Sequence, residues 1–321
     1  ALPIFQMDSG LLEQHDDDCC ALEVRKDANA VITGGKIASI ESAGLLTNND
    51  CVVSCAGTLT MTGGEIVNTA RAGNALTLSG TADIKGGIIE GRMTGTDSDT
   101  TVICIKGGVC NLYDNGVIKN SATAGYSQAV YLNTDGSIFN MYGGSVLSDT
   151  GKTSTVAIYA LPVDSYINIY GGTIASSGVA IDKNVNGGDY GYVTVTVTGG
   201  HIKAGSFAFN VGQLLVEPAE GSEVTVEANT VFRISGSEYW TNTVKGGVYT
   251  AKTAIAGSGD NYGMRGTLAI SGGSFNMEVD KKYCAEGYDP TGAVVKVIDG
   301  VYYYTVCNHE SAAKVDAVAA T

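Results

Sequence analysis

The sequence predicts an all-β chain wound as a parallel β-solenoid of about ten coils, with three short strands per coil and a small C-terminal β module. Three observations predict it. Apolar and polar residues alternate along most short segments, which is the period of a strand. Glycine accounts for 44 of the 321 residues and proline for only 4, a composition suited to many tight turns and few rigid linkers. A short sentence also recurs: "IFQMDSGLL" at 4–12, "IFNMYGGSVLS" at 138–148 and "YINIYGGTIASS" at 166–177.

The repeat can be anchored on the small-residue pair that follows each middle strand. The anchors are Ser9, Gly34, Gly63, Gly86, Asp114, Gly143, Gly171, Gly199, Gly246 and Gly272. From Gly86 to Gly199 the steps are 28, 29, 28 and 28 residues, and before Gly86 they are 25, 29 and 23. After Gly199 they are 47 and 26, so the longer one holds either two short units or one unit with an insertion around "PAEGSEVTVEAN". Each unit divides into a leading strand ("TVAIYAL"), a middle strand ("YINIYGG") and a trailing strand ("TIASS"). Three strands in such a period is the arithmetic of a solenoid turn. The Gly-Gly pair supplies the positive-φ corner between middle and trailing strands.

Strand parity sorts the middle strands into two faces. Cys110 and Leu112, Phe139 and Met141, Ile167 and Ile169, and Val195 and Val197 should stack inside. Asn111 and Tyr113, Asn140 and Tyr142, Asn168 and Tyr170, then Thr196 and Thr198, should form outward ladders with rungs ~4.8 Å apart. The first copy, "IFQMDSGLL", lacks its leading strand, so the sequence reads as beginning partway through a turn. The predicted solenoid covers residues 1–275. From 276 the period is lost, and "VVKVIDGVYYYTV" reads as two strands joined by Asp-Gly, a strong hairpin signal. Residues 276–321 are therefore expected to form a hairpin cap and linker.

Composition excludes some partners. With a net charge of −14 and five arginines, the chain repels phosphate backbones, so nucleic acid is not expected. No apolar run reaches the ~18 residues needed to span a membrane, so insertion is not expected. "ALPIFQMDSG" has no basic n-region, and the chain reads as mature or trimmed.

"INIYGGTI" and "LAISGGSFN", followed by "YCAEGY" and "VVKVIDGVYYYTV", resemble large cell-surface proteins of gut Firmicutes over roughly residues 20–306. The resemblance implies the pectate-lyase-like, right-handed β-helix class and a secreted or cell-surface location. Where that pattern continues "GGSF" with Asp-Pro, Asn276 to Lys282 depart from it, and Cys284 is inserted. The closing "CNHESAAKVDAVAAT" resembles the start of a Cys-rich repeat whose next cysteine is absent here.

Chemistry-bearing residues are sparse. No nucleophile–base constellation is visible, and the three histidines (His15, His201, His309) are scattered. The nearest approach to a catalytic set is Asp83, Lys85 and Asp114, expected near one another on adjacent coils, with an ordinary solvated charge group as the simpler reading. Eight cysteines permit disulfides in a secreted chain. Only neighbouring coils bring Cα atoms within ~7 Å, so Cys19 or Cys20 could join Cys51 or Cys55, Cys104 could join Cys110, and Cys284 could join Cys307. Cys110 reads equally well as a small core residue. Zinc is not expected, since there is no Cys-x-x-Cys. No cofactor is expected; calcium could be held only by Asp97, Asp99 or Asp260 in polar loops. "DDD" at 16–18 reads as a solvated turn, and the threonine column of "TVTVT" (194–198) is interrupted at Asp83, Lys85 and the tyrosines, which rules against an ice-binding array.

The Asn/Tyr ladder is the most distinctive outward feature. Rings with amides alongside suit a glycan, and the same residues also brace a parallel sheet. The functional expectation is an extracellular, non-enzymatic shaft able to self-associate end to end. The alternative is a carbohydrate-active or carbohydrate-binding β-helix.

Overall fold

The computed structural model describes residues 4–14, 20–40, 50–70, 72–93, 100–122, 126–161, 163–183, 192–235, 241–258, 264–265 and 267–311. They form a parallel β-solenoid. The middle strands stack from Ile4–Met7 and Asn29–Ile32 through the first parts of Thr58–Asn68, Thr81–Gly91 and Val109–Asn120. The stack continues through Ile138–Met141, Ser165–Ile169, Val193–Val197, Gln213–Val216, Thr241–Val244 and Thr267–Ile270. The trailing strands stack beside them, for example Ser145–Ser148 on Thr173–Ser176 and then on Gly200–Ala204. The leading strands do the same, with Cys51–Cys55 followed by Asn74–Leu78, Thr100–Lys106, Ser127–Thr134, Thr155–Ala160, Val179–Lys183 and Phe207–Asn210.

The 47-residue step is thereby resolved into two coils. Gln213–Val216 is a middle strand between Val193–Val197 and Thr241–Val244, giving one coil more than the anchors mark. Its corner is "EPAEGSE" (217–223), where Gly221 takes the positive φ of 76° in place of a Gly-Gly pair.

Glycine is required at the ordinary corners for two separate reasons, both visible at Gly63–Gly64. Gly64 has φ +81°, and a Cβ on Gly63 would lie 2.3 Å from the Thr33 carbonyl oxygen of the coil before. Side-chain-free backbone is what lets successive corners nest at the sheet spacing.

The expected parity holds. Cys110, Leu112, Phe139, Met141, Ile167, Ile169, Val195 and Val197 are all buried. The core also draws on the leading strands, where Ala129, Ala157, Ala180 and Ala208 form a buried column of small residues. At the turn from trailing to leading strand, Asn68 and Asn120 are buried, and their side-chain oxygens accept from the backbone N–H two residues on (Ala70 2.9 Å, Ala122 3.0 Å). This is the local amide turn asparagine favours. Towards the C-terminal end the core becomes aromatic. Phe209 stacks on Phe232 (5.6 Å), Phe232 meets Tyr249 (5.7 Å), and Tyr249 stacks on Phe275 (4.8 Å).

The trailing parts of Thr81–Gly91 and Val109–Asn120 lead into the leading strands Thr100–Lys106 and Ser127–Thr134, so the longer connections of these coils fall at the trailing-to-leading corner. From Lys183 onwards the longer connections move to the leading-to-middle corner, between Lys183 and Val193 and between Ser235 and Thr241.

The Asp-Gly hairpin forms between Lys296–Ile298 and Val301–Asn308, with Asp299 (φ 48°) and Gly300 (φ 79°) at the turn. Val301–Asn308 also runs antiparallel to the last trailing strand, pairing Ser274 with Thr305 and Phe275 with Tyr304. The module thus covers the edge that the last trailing strand would otherwise present. No helix among the described residues is long and apolar enough to cross a membrane.

Candidate functional site

The outward face of the middle strands carries two side-chain ladders. In the first, Asn168 Nδ2 donates to Asn140 Oδ1 (2.8 Å), Asn140 Nδ2 to Asn111 Oδ1 (2.9 Å), and Asn111 Nδ2 to Asp83 Oδ1 (2.8 Å). Every donor points towards the N-terminal end, and the ladder terminates on a carboxylate, which only accepts. In the second, Tyr113 stacks on Tyr142 at 5.1 Å and 17°, and Tyr142 on Tyr170 at 5.0 Å and 7°. Lys85 Nζ lies 5.8 Å from the Tyr113 ring centroid and closes that end of the stack.

Asp83 and Lys85 therefore each terminate a ladder. Asp114 lies in a bulge, where Tyr113 and Asp114 together oppose the single Lys85, and it is exposed. Of the three suggested catalytic groups, Asp83 and Lys85 are engaged with ladder residues.

The rings all point outward in a line. Their mutual stacking, however, turns faces along the shaft and leaves edges and hydroxyls to solvent. A sugar stacks on ring faces, and here Tyr142 has a neighbouring ring on both faces. Stacking also makes Tyr142 a structural residue, although it is 45% exposed. Tyr142→Ala is expected to cost about 1–2 kcal/mol, from two aromatic contacts of roughly 0.5–1.5 kcal/mol each. Tyr142→Phe should be near neutral. Urea titration of the two variants checks this, and equal stabilities would contradict the brace.

A second row lies on the leading strands, buried at Cys104 and Asn210 and half-buried at Tyr131 and Tyr159, and was not visible in the sequence pattern. Register aligns Cys104 with Tyr131, Tyr131 with Tyr159, Tyr159 with Asp182, and Asp182 with Asn210. Phe209 pairs with Phe232, which brings Arg233 beside Asn210. Tyr131 and Tyr159 approach at 5.5 Å, and Tyr126 meets Tyr159 edge-on at 5.8 Å. Asn210 Nδ2 donates to Asp182 Oδ1 (2.6 Å), and the Tyr126 hydroxyl donates to Oδ2 (3.4 Å). Burial pushes the Asp182 carboxyl up to about 6, against the pull of those hydrogen bonds and of the Arg233 charge. The row thus couples aromatic surface, amide, guanidinium and a carboxyl able to exchange a proton near neutrality. The signal that could have found it is position: Tyr131, Tyr159, Asp182 and Asn210 each stand two places after a buried alanine of the leading strand.

A third polar cluster surrounds the buried Glu90. Arg92 donates to its Oε2 through Nε (2.8 Å) and Nη2 (2.6 Å), Ser121 Oγ donates to Oε1 (2.7 Å), and Lys119 Nζ stands 3.3 Å from Oε1. Burial opposes the charge, but these partners hold the carboxyl below its usual range.

Cys20 and Cys51 are brought together, with sulfurs 3.3 Å apart, while no disulfide joins the described cysteines. Cys55, Cys104 and Cys110 are buried, and burial raises their thiols to about 11, 11 and 12. Cys110 is a core residue. Cys284 lies beside the last middle strand through a bridge to Ile270, and Cys307 pairs across strands with Asp289. Cys19, "DDD" at 16–18, and the calcium candidates Asp97, Asp99 and Asp260 lie outside the described residues. Among the described residues there is no group of three or more His, Cys, Asp or Glu that could hold a metal ion.

The chain matches no family model, no curated protein and no solved structure.

Proposed function

We propose that the chain is a non-enzymatic structural shaft of a secreted or cell-surface protein: a stalk, an adhesin arm or a filament subunit. The observation that carries this is the continuity of its side-chain ladders. The amide ladder from Asp83 to Asn168 and the ring stack from Tyr113 to Tyr170 span the same coils on one face. Interactions that link each coil only to its neighbours stiffen a rod along its axis. The resemblance to surface proteins of gut Firmicutes supports the location and the pectate-lyase-like β-helix class. Self-association end to end belongs to the same reading. Its support is apolar surface on the terminal hairpin, where Val297 is 56% and Tyr302 59% exposed.

A second reading, a carbohydrate-binding or carbohydrate-active β-helix, is favoured by the leading-strand row rather than by the tyrosine stack. Tyr131 and Tyr159 beside Asp182 and Asn210 combine aromatic surface with hydrogen-bonding groups.

Excision of residues 143–170 separates the two. The cut joins Tyr142 to Gly171 and preserves register, because Ser165–Ile169 pairs with Ile138–Met141 on one side and with Val193–Val197 on the other. A shaft should fold, shorten by about 5 Å, and keep its surface labelling on intact cells and its end-to-end particles in negative stain. A carbohydrate protein should lose polysaccharide binding or turnover, since Tyr159 is removed. Wild-type material that binds polysaccharide, is never surface-labelled and stays monomeric would overturn the shaft.

A further inference from the structure

The first two leading strands bring two thiols into contact. Leu22 pairs with Val53, and the Ala21 N–H donates to the Val52 carbonyl at 2.9 Å. Continuing that register places Cys20 opposite Cys51, and their sulfurs are 3.3 Å apart. Directly opposed residues on neighbouring parallel strands sit about 4.8 Å apart at Cα, inside the roughly 4.4–6.8 Å that a disulfide accepts. Bond formation therefore needs rotation of side chains and little movement of backbone. Cys55 is no rival: it pairs with Val24, lies in the core, and burial raises its thiol.

We propose that Cys20 and Cys51 are an oxidisable pair that closes as a disulfide across the first two coils on exposure to a small-molecule disulfide such as oxidised glutathione. Cys20 is the more accessible of the two, and Cys51 is buried. The Cys20 thiolate attacks the glutathione disulfide, forming a mixed disulfide and releasing one glutathione thiolate. The Cys51 thiolate then attacks Cys20 Sγ and expels the second glutathione. The two cysteine protons end on the two glutathiones, so the protein loses two electrons and the reagent gains them. In the reduced pair the contact with Cys20 holds the Cys51 thiol down to about 7, against the effect of burial, so the pair carries a thiolate near neutral pH before the first exchange.

The clamp would join the leading strands Leu22–Val24 and Cys51–Cys55 covalently. It closes a loop of 31 residues. By loop closure alone this should lower the population in which the first coils are open by about five hundredfold. A thiol pair of this kind is open in a reducing compartment and shut in an oxidising one.

The experiment equilibrates the folded chain in glutathione buffers of increasing oxidised fraction, caps the remaining thiols with N-ethylmaleimide, and maps peptides by mass spectrometry. The expected result is one cross-linked peptide joining Cys20 to Cys51, formed equally in Cys19→Ser and absent in Cys20→Ser. Limited proteolysis within residues 4–40 should be about five hundredfold slower in the oxidised form and return on reduction. Full capping of both thiols across the whole buffer range overturns the proposal, as does a cross-link that vanishes in Cys19→Ser. Because Cys20 is only partly buried, its serine variant should fold, which circular dichroism verifies.

Discussion

Replacing Phe232 by alanine is expected to cost about 4 kcal/mol and to open the C-terminal coils before the rest of the shaft. Phe232 is fully buried, stacked on Phe209 from the leading column and against Tyr249 from the trailing column. It therefore ties two walls of the solenoid together as well as two coils. Its removal leaves a void among rigid rings that cannot close without moving Tyr249, whose hydroxyl donates to the Gly246 carbonyl at 2.7 Å. In a solenoid each coil leans only on its neighbours, so the loss stays local. Hydrogen exchange in low urea should show peptides from about 207 to 275 losing protection first, while those bearing the tyrosine stack keep theirs. Phe232→Leu, which fills most of the space, should cost less than half as much. Loss of protection spread evenly over the chain would show that the coils are not energetically separable.

The same nearest-neighbour logic explains what could be read from the sequence. The middle column was legible because its spacing is nearly constant and strand parity is a period of two. Once Gly143, Gly171 and Gly199 are aligned, Asn140 and Asn168 must share a face. The hairpin was legible for a local reason, as Asp299 and Gly300 both take positive φ. The extra coil at 213–216 was legible only as one of two readings of the 47-residue step, because its corner replaces a Gly-Gly pair with a seven-residue turn that leaves no anchor.

The leading column was illegible for a different reason. Whether Tyr159 stands beside Asp182 depends on how many residues each corner consumes, and those corners vary. Ser148 to Thr155 is a long connection, whereas Ser176 to Val179 is a short one. Periodicity carries no information about that difference; only the hydrogen-bonded register does. The tyrosine stack shows a further limit. Parity placed Tyr113, Tyr142 and Tyr170 outward, but the ring planes follow from rotamers and mutual contact. It is the planes that distinguish a brace from a sugar platform.

Asp182→Asn is expected to stabilise the protein at neutral pH and to leave it unchanged in acid. The folded-state carboxyl is raised to about 6 from its ordinary 3.8, chiefly by burial. Between those values the folded protein binds a proton that the unfolded chain has released. Stability from this group is therefore fully present below about pH 3.8 and is lost as pH rises through about 6. At roughly 1.4 kcal/mol per unit, the loss by pH 7.5 amounts to about 3 kcal/mol. The asparagine is isosteric and never ionises. Its side-chain oxygen can still accept from Asn210, and its amide can still meet the Tyr126 hydroxyl, so it imitates the protonated acid. Guanidinium unfolding of both proteins at about pH 4 and about pH 7.5 isolates the group, because every other carboxylate cancels in the difference. The two should coincide in acid, and the variant should lead by about 2–3 kcal/mol at the higher pH. A variant weaker than wild type at pH 7.5 would mean that the Arg233 charge outweighs burial. Asp182 would then be an ordinary paired anion, and the leading-strand row would hold no proton to exchange near neutrality.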